Sequence, residues 1–229
     1  MSQILQIHPV NPQPRIIRQA VDLLDRGEVL AIAKGHRFIQ QTSANTASPA
    51  AIVEDKPAQM RFIIAKTVDV PTYVEYGAAD IGIIGKDVLL ESGKDVYELL
   101  DLGFGKCHLM MAVFKAEKRA KLTDYAHTRV ATKFPHIAEQ FFNKHGMQME
   151  YIKLNGSIEL GPIVGLSESI VDIVETGTTL KENDLEEIAY IMDASARLIA
   201  NRVSFKMKFD RINTMVSDLR TILESGAAK

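Results

Sequence analysis

One cysteine, no tryptophan, six histidines and a formal net charge of only -2 set the first limits on this 229-residue chain. A single thiol, Cys107, makes no internal disulfide, so a reducing compartment is expected and the cytoplasm is the simplest one. Cys107 opens the apolar run Cys107-His108-Leu109-Met110-Met111-Ala112-Val113, where it reads as a small buried hydrophobe rather than a nucleophile. With 27 Lys and Arg against 29 Asp and Glu, bulk charge attracts neither nucleic acid nor an anionic membrane, and neither is an expected partner. An anionic ligand would have to be met by local basic groups and backbone donors. The start, Met1-Ser2-Gln3-Ile4, has no basic region and no long apolar run, so no signal peptide is expected. No apolar run reaches the ~20 residues of a membrane helix. Also missing are a Gly-x-x-x-x-Gly-Lys-Ser/Thr loop and a dinucleotide glycine fingerprint. The histidines show no zinc spacing, and no serine or cysteine sits in a nucleophile setting. No metal site made of protein side chains is expected.

What is present is ordinary globular composition, 46% hydrophobic and 24% charged, over a length that suits one large domain or two lobes. Asn11-Pro12-Gln13-Pro14 followed by Ile16, Ile17, Ala20, Val21, Leu23 and Leu24, with Gly27 behind, predicts a helix of about three turns. Strands are predicted at 29–33, 61–65, 81–85, 109–113, 129–132, 149–154 and 170–174. Helices are predicted at 70–76, 137–144, 184–196 and 204–224. Residues 41–58, rich in small polar residues, read as loop. Short apolar strands alternating with helices imply an α/β fold with mainly parallel sheets. In the last helix, Phe205, Phe209, Ile212, Val216, Leu219 and Leu223 form a stripe at spacings of four and three. It reads either as a face packed on its own core or as a subunit contact.

The most informative segment is Ile170-Val171-Asp172-Ile173-Val174-Glu175-Thr176-Gly177-Thr178-Thr179-Leu180. An apolar strand runs into a turn of hydroxyl residues around a glycine. Such a turn offers backbone N–H groups and hydroxyls to phosphate oxygens, and glycine lets the backbone approach closely. Carboxylates just ahead of it can accept hydrogen bonds from ribose hydroxyls. This is the chemistry a 5-phosphoribosyl group needs. Lys153-Leu154-Asn155-Gly156-Ser157-Ile158-Glu159 repeats the scheme, either as a pyrophosphate cradle or as a structural turn. Asp87, after Gly85-Lys86, either caps the next helix or reaches a ligand. Lys133-Phe134-Pro135-His136 reads as a loop rather than a catalytic pair.

From about Arg61 to Ile222 the chain resembles the short form of the ATP phosphoribosyltransferases. The runs that carry the resemblance are Asp69 to Gly82, Gly85 to Leu89, Tyr97 to Leu102, Ala131 to Pro135, Lys153 to Glu159, Val171 to Leu180, Ser195 to Asn201 and Ser204 to Lys206. The resemblance implies two lobes of the type II periplasmic-binding-protein kind. Residues 61–105 and 176–229 would form lobe I and its C-terminal helices, 106–175 lobe II, and 1–60 a segment joining lobe I. It implies an enzyme that joins ATP to phosphoribosyl pyrophosphate with Mg²⁺, releasing pyrophosphate, at the first step of histidine biosynthesis. Asp172 and Glu175 would hold the ribose, and Thr176, Gly177, Thr178 and Thr179 its 5-phosphate. Gly156 and Ser157 would lie by the pyrophosphate, with Lys153, Asn155 and Glu159 as further substrate-binding residues, and Asp69, Tyr73 and Asp87 on the nucleotide side. It further implies a homodimer and a separate regulatory subunit related to histidyl-tRNA synthetase.

The first sixty residues depart from that pattern. Where the family has Lys-Gly-Arg, this chain has Lys34-Gly35-His36-Arg37. Lys34 and Gly35 are carried over as substrate-binding residues and Arg37 as the catalytic arginine; a second arginine has no counterpart between Arg37 and Arg61. Residues 1–50 are instead similar, in places, to threonylcarbamoyl-adenylate synthase-like proteins, notably at Thr42-Ser43-Ala44-Asn45. Three readings stand at this point: a working phosphoribosyltransferase, a weakened or chimeric relative that still binds substrates or partners, and a solute-binding module.

Overall fold

A computed structural model describes residues 29–34, 51–55, 60–174 and 177–224. The helix read at 11–27 lies outside them. The chain divides into two compact units: residues 1–105 with 196–229, and residues 106–195. No described helix is long and apolar enough to cross a membrane.

The first unit is built from β1 (Val29–Lys34), β2 (Ala51–Asp55), β3 (Met60–Lys66), α1 (Val70–Glu75), β4 (Ile81–Gly85), α2 (Lys86–Ser92) and β5 (Tyr97–Asp101). The second contains β6 (Cys107–Phe114), β7 (Arg129–Thr132), α3 (Pro135–Lys144), β8 (Glu150–Lys153), α4 (Leu160–Ile163), β9 (Ser169–Val174), α5 (Thr178–Glu182) and β10 (Leu185–Ala194). The chain then returns to the first unit with β11 (Ala196–Ala200), α6 (Arg202–Met207) and α7 (Phe209–Glu224).

The first sheet runs β2-β3-β1-β4-β11-β5. β1 is parallel to both β3 and β4, while β2, β11 and β5 pair antiparallel. β4 is buried along its whole length because both faces are covered. One face, with Ile81, Ile83, Leu198 and Ala200, packs against Ile212, Met215, Val216 and Leu219 of α7. The other, with Ile84 and Ile199, packs against Val70 and Val74 of α1 and Val88 and Leu89 of α2. Gly82 is needed there, since a Cβ would stand 2.8 Å from Val74 Cγ2. Asn201 joins the layers. Its side chain accepts from Val203 N and Ser204 N, capping α6, and donates to Val74 O and Glu75 O at the end of α1.

The second sheet runs β10-β6-β9-β7-β8, with β7 parallel to β8 and β9 and β6 antiparallel to β10 and β9. Its strands alternate between two cores. Val130, Val171, Phe134, Ile137 and Phe142 fill one face beneath α3. Ala112, Ala131, Ile170, Val174, Ile158, Leu180 and Leu185 fill the other, beneath α4 and α5.

Several sequence expectations change here. The sheets are mixed rather than mainly parallel. Residues 185–194 form strand, not helix: β-bulges between Glu187 and Ala189 and between Tyr190 and Met192 stretch its apolar spacing toward a helical one. That strand pairs with β6, so the return to the first unit comes at Ala196 and not at 176. Part of the 41–58 loop is strand, since β2 extends the sheet along β3. The 204–224 helix is two helices, breaking at Lys208. In the apolar stripe, Ile212, Val216 and Leu219 are buried in the unit's own core, while Phe209 remains 48% exposed.

Candidate functional site

In the second unit, β7, β8 and β9 are parallel and adjacent, so their C-terminal ends lie on one edge of the sheet. Ligands of α/β sheets gather at such edges. The register places Thr132 opposite Lys153 on one side and Val171 on the other. Thr132 is fully buried and ties the edge together: its Oγ1 donates to Val171 O at 2.7 Å and accepts from Phe134 N at 2.9 Å.

Two of the turns leaving this edge are the phosphate candidates. After β8, Asn155, Gly156 and Ser157 are exposed, with Ser157 at φ +49°. Nothing lies within 4 Å of where a Gly156 Cβ would stand. Ile158, the next residue, is buried in the core below and anchors the turn, while Glu159 is half-buried. After β9, Gly177 stands at the N-cap of α5 with φ +71°, a conformation that favours glycine. Leu180 on α5 reaches the same core as Ile158. Both turns are thus pinned to one face of one sheet.

Asp172 lies on that face, between Ile170 and Val174. Burial pushes its carboxyl above the ordinary aspartate range. The Ile173 N–H, which donates to Asp172 Oδ1 at 2.8 Å, opposes this; the Glu159 charge adds to the rise and the Lys133 charge offsets part of it. On the flank of the Gly177 turn, Glu187 Oε1 lies 3.9 Å from the position a Gly177 Cβ would take, and Glu187 Oε2 lies 3.9 Å from His108 Nε2.

The first unit repeats the plan. Lys34 ends β1, Asp69 follows β3 and Asp87 follows β4, at the C-terminal ends of three parallel neighbours. Asp69 is exposed, and Tyr73 is half-buried on α1 against that unit's core. Asp87 is buried in the first turn of α2, at the positive end of the helix. Its carboxylate folds over Gly85, where a Cβ would collide with it. Gly35, Arg37, Glu175 and Thr176 fall outside the described residues. Thr178 and Thr179 form the first turn of α5.

Some motif residues prove structural. Besides Asn201, Arg197 bridges Glu98 and Asp101 at 3.4 and 3.0 Å. Conversely, Lys133, read from sequence as part of a loop, stands at the end of the central strand of the edge. Its signal was present in the two flanking turns but needed the strand order to be seen.

A sequence model of the ATP phosphoribosyltransferase family matches residues 66–221, a span that takes in both turns and all of the second unit. The chain belongs to the ATP phosphoribosyltransferase family. The ATP phosphoribosyltransferase of Desulfitobacterium hafniense is 56% identical over 173 residues, covering 72% of this chain and 78% of that protein. That of Caldicellulosiruptor bescii is 48% identical over 214 residues, 93% of this chain and 97% of that protein. An alignment of that reach takes in part of the first sixty residues. Among solved structures, the ATP phosphoribosyl transferase (HisG:HisZ) complex from Thermotoga maritima contains a chain 31% identical, at a TM-score of 0.73, covering 86% of this chain and 99% of that one. A substrate-binding protein of an amino acid ABC transporter, 12% identical with a TM-score of 0.57 over 88% of this chain and 95% of its own, shares the ATP phosphoribosyltransferase fold alone.

Proposed function

We propose that the chain is the catalytic subunit of a short-form ATP phosphoribosyltransferase, with the C-terminal strand edge of the second unit as its phosphoribosyl site. The reaction joins ATP to phosphoribosyl pyrophosphate, giving phosphoribosyl-ATP and pyrophosphate, and opens histidine biosynthesis. The observation that carries the site assignment is the pinning of the Asn155–Ser157 and Gly177–Thr179 turns to one sheet face beside a half-buried carboxylate. Gly177, with Thr176, Thr178 and Thr179, binds the 5-phosphate through backbone N–H groups and hydroxyls. Asp172 and Glu175 accept hydrogen bonds from the ribose hydroxyls, a role that a desolvated carboxylate fills well. Lys153, Asn155, Gly156, Ser157 and Glu159 line the pyrophosphate. Lys34, Gly35, Asp69, Tyr73 and Asp87 serve the nucleotide side.

In this reaction adenine N1 attacks ribose C1 as the C1–O bond to pyrophosphate breaks, so negative charge grows on the leaving group. Arg37 is the arginine assigned to meet it. Among the described residues no group of three or more His, Cys, Asp or Glu gathers as a metal cage. Mg²⁺ binds through few protein oxygens plus waters and substrate phosphates. When bound it would neutralise charge on the pyrophosphate, with Asp172 and Glu159 as carboxylates that could contribute to holding it.

Assembly belongs to the same proposal. The Thermotoga maritima relative is a HisG:HisZ complex, which supports a separate regulatory subunit related to histidyl-tRNA synthetase. Val203, Met207 and Phe209, 62%, 81% and 48% exposed around the α6–α7 corner, support a homodimer contact. The single cysteine supports a cytoplasmic setting. The test is pyrophosphate release by the purified chain with ATP, phosphoribosyl pyrophosphate and Mg²⁺, with and without the regulatory subunit. Release that depends on both substrates supports the proposal; none in either condition overturns it.

A further inference from the structure

Between the two phosphate turns stands one half-buried cation. The strand order β9-β7-β8 puts the exit of β7 between the exit of β9, which leads to Gly177, and the exit of β8, which leads to Asn155–Ser157. Lys133 is the first residue past β7. Side chains alternate between faces along a strand, and Ala131 lies on the face of the Ile158–Leu180 core; Lys133 is the first residue past the strand's end, in the bend that leads to α3. Asp172 shares that face on β9. Thr132 pairs with Val171, so Lys133 and Asp172 each follow one member of that pair.

Charge adds a second argument. Phosphoribosyl pyrophosphate carries phosphate at both ends of its ribose, and the site face presents it with Asp172 and Glu159. Neither turn contains a basic residue between Leu154 and Glu159 or between Glu175 and Leu180. Lys153 and Lys181, which flank the turns, are exposed, whereas Lys133 is half-buried. No described carboxylate lies within ion-pair distance of the Lys133 ammonium, whose recorded close contact is the Phe134 ring, 5.8 Å from Nζ to the centroid. Its field nevertheless reaches Asp172, where it offsets a small part of the rise that burial causes. A cation there, not ion-paired with any described carboxylate, has capacity for a ligand anion.

We propose that Lys133 is a further substrate-binding residue, whose ammonium neutralises phosphoribosyl pyrophosphate between the turns that hold its two phosphate-bearing ends. The inference rests on the phosphoribosyl site assigned above, so its test must separate the two.

The experiment is calorimetric titration of the full chain with phosphoribosyl pyrophosphate and Mg²⁺, alongside Lys133→Met, Lys133→Arg and Gly177→Val, with a melting curve for each. Lys133→Met should bind about tenfold more weakly, about 1.4 kcal/mol. Its melting temperature should stay within about 2 °C of the parent, as expected for a change away from the core. Lys133→Arg should recover most of the loss. Unchanged affinity in Lys133→Met, with Gly177→Val impaired, overturns the role of Lys133 and leaves the site. A loss matched by a lower melting temperature and not relieved by arginine overturns it too, as the mark of a structural lysine. Unchanged affinity in both Lys133→Met and Gly177→Val, or no binding by the parent chain, overturns the site together with the inference.

Discussion

Replacing Gly177 by valine probes the phosphate turn with little confounding from packing. Gly177 holds φ +71°, and an added Cβ would lie 3.9 Å from both Glu187 Oε1 and Val174 Cγ1. Those are ordinary van der Waals distances, so the Cβ itself displaces no atom. The cost falls on the backbone: a left-handed conformation costs an L-residue about 1–2 kcal/mol, more when it is β-branched. For a chain of this size each kcal/mol lowers the melting temperature by roughly 2–4 °C, a loss the fold should survive. If the strained turn relaxes, or the branched side chain stands where the phosphate must approach, affinity for phosphoribosyl pyrophosphate falls by about tenfold or more. Gly177→Asn separates the two causes, because asparagine tolerates the left-handed region. It should melt near the parent yet still bind weakly, its side chain occupying the approach. Calorimetry on folded protein gives the answer. Parent-like affinity in Gly177→Val would remove this turn from the site.

Asp172 yields a prediction about pH. Burial raises its folded-state pKa above the unfolded value, so its contribution to stability is present below the unfolded pKa and is lost as pH rises through the folded one. Asp172→Asn should therefore gain stability over the parent as pH increases from about 4 to 7 while losing phosphoribosyl pyrophosphate affinity; a stability difference independent of pH would show that the carboxyl is not desolvated. Sedimentation of the purified chain should give a species larger than the monomer, and Phe209→Glu should shift it toward the monomer. A monomer at micromolar concentration, unaltered by that substitution, would return the whole stripe to core packing.

The elements legible in sequence were those with one clear period. β4 is an unbroken apolar run, β9 is an apolar run interrupted by Asp172, and α3 is closed by Pro135 at its start and Gly146 behind it. β10 was hidden because its two bulges shift the side-chain phase, so Leu185, Ile188, Ala189, Ile191 and Met192 mimic a helix face. The domain boundary moved with it. β2 was hidden although it pairs with the very next strand, Asp55 opposite Met60, because its five residues Ala51-Ile52-Val53-Glu54-Asp55 follow a polar stretch and show no clear period. Of the candidate site, Gly177, Gly156 and Asp172 were visible as strand-to-turn chemistry, since glycine and hydroxyl residues after an apolar run can offer donors to a phosphate. Lys133 was not: its place between the turns follows from the order β9-β7-β8, which a linear sequence does not display.

The most direct test of the central claim is product identification after the full chain is incubated with ATP, phosphoribosyl pyrophosphate and Mg²⁺, with and without the regulatory subunit. The account predicts phosphoribosyl-ATP and pyrophosphate in equal amounts, requiring both substrates and reduced in Gly177→Val. Neither product in either condition, from a chain whose fold is intact, would contradict it.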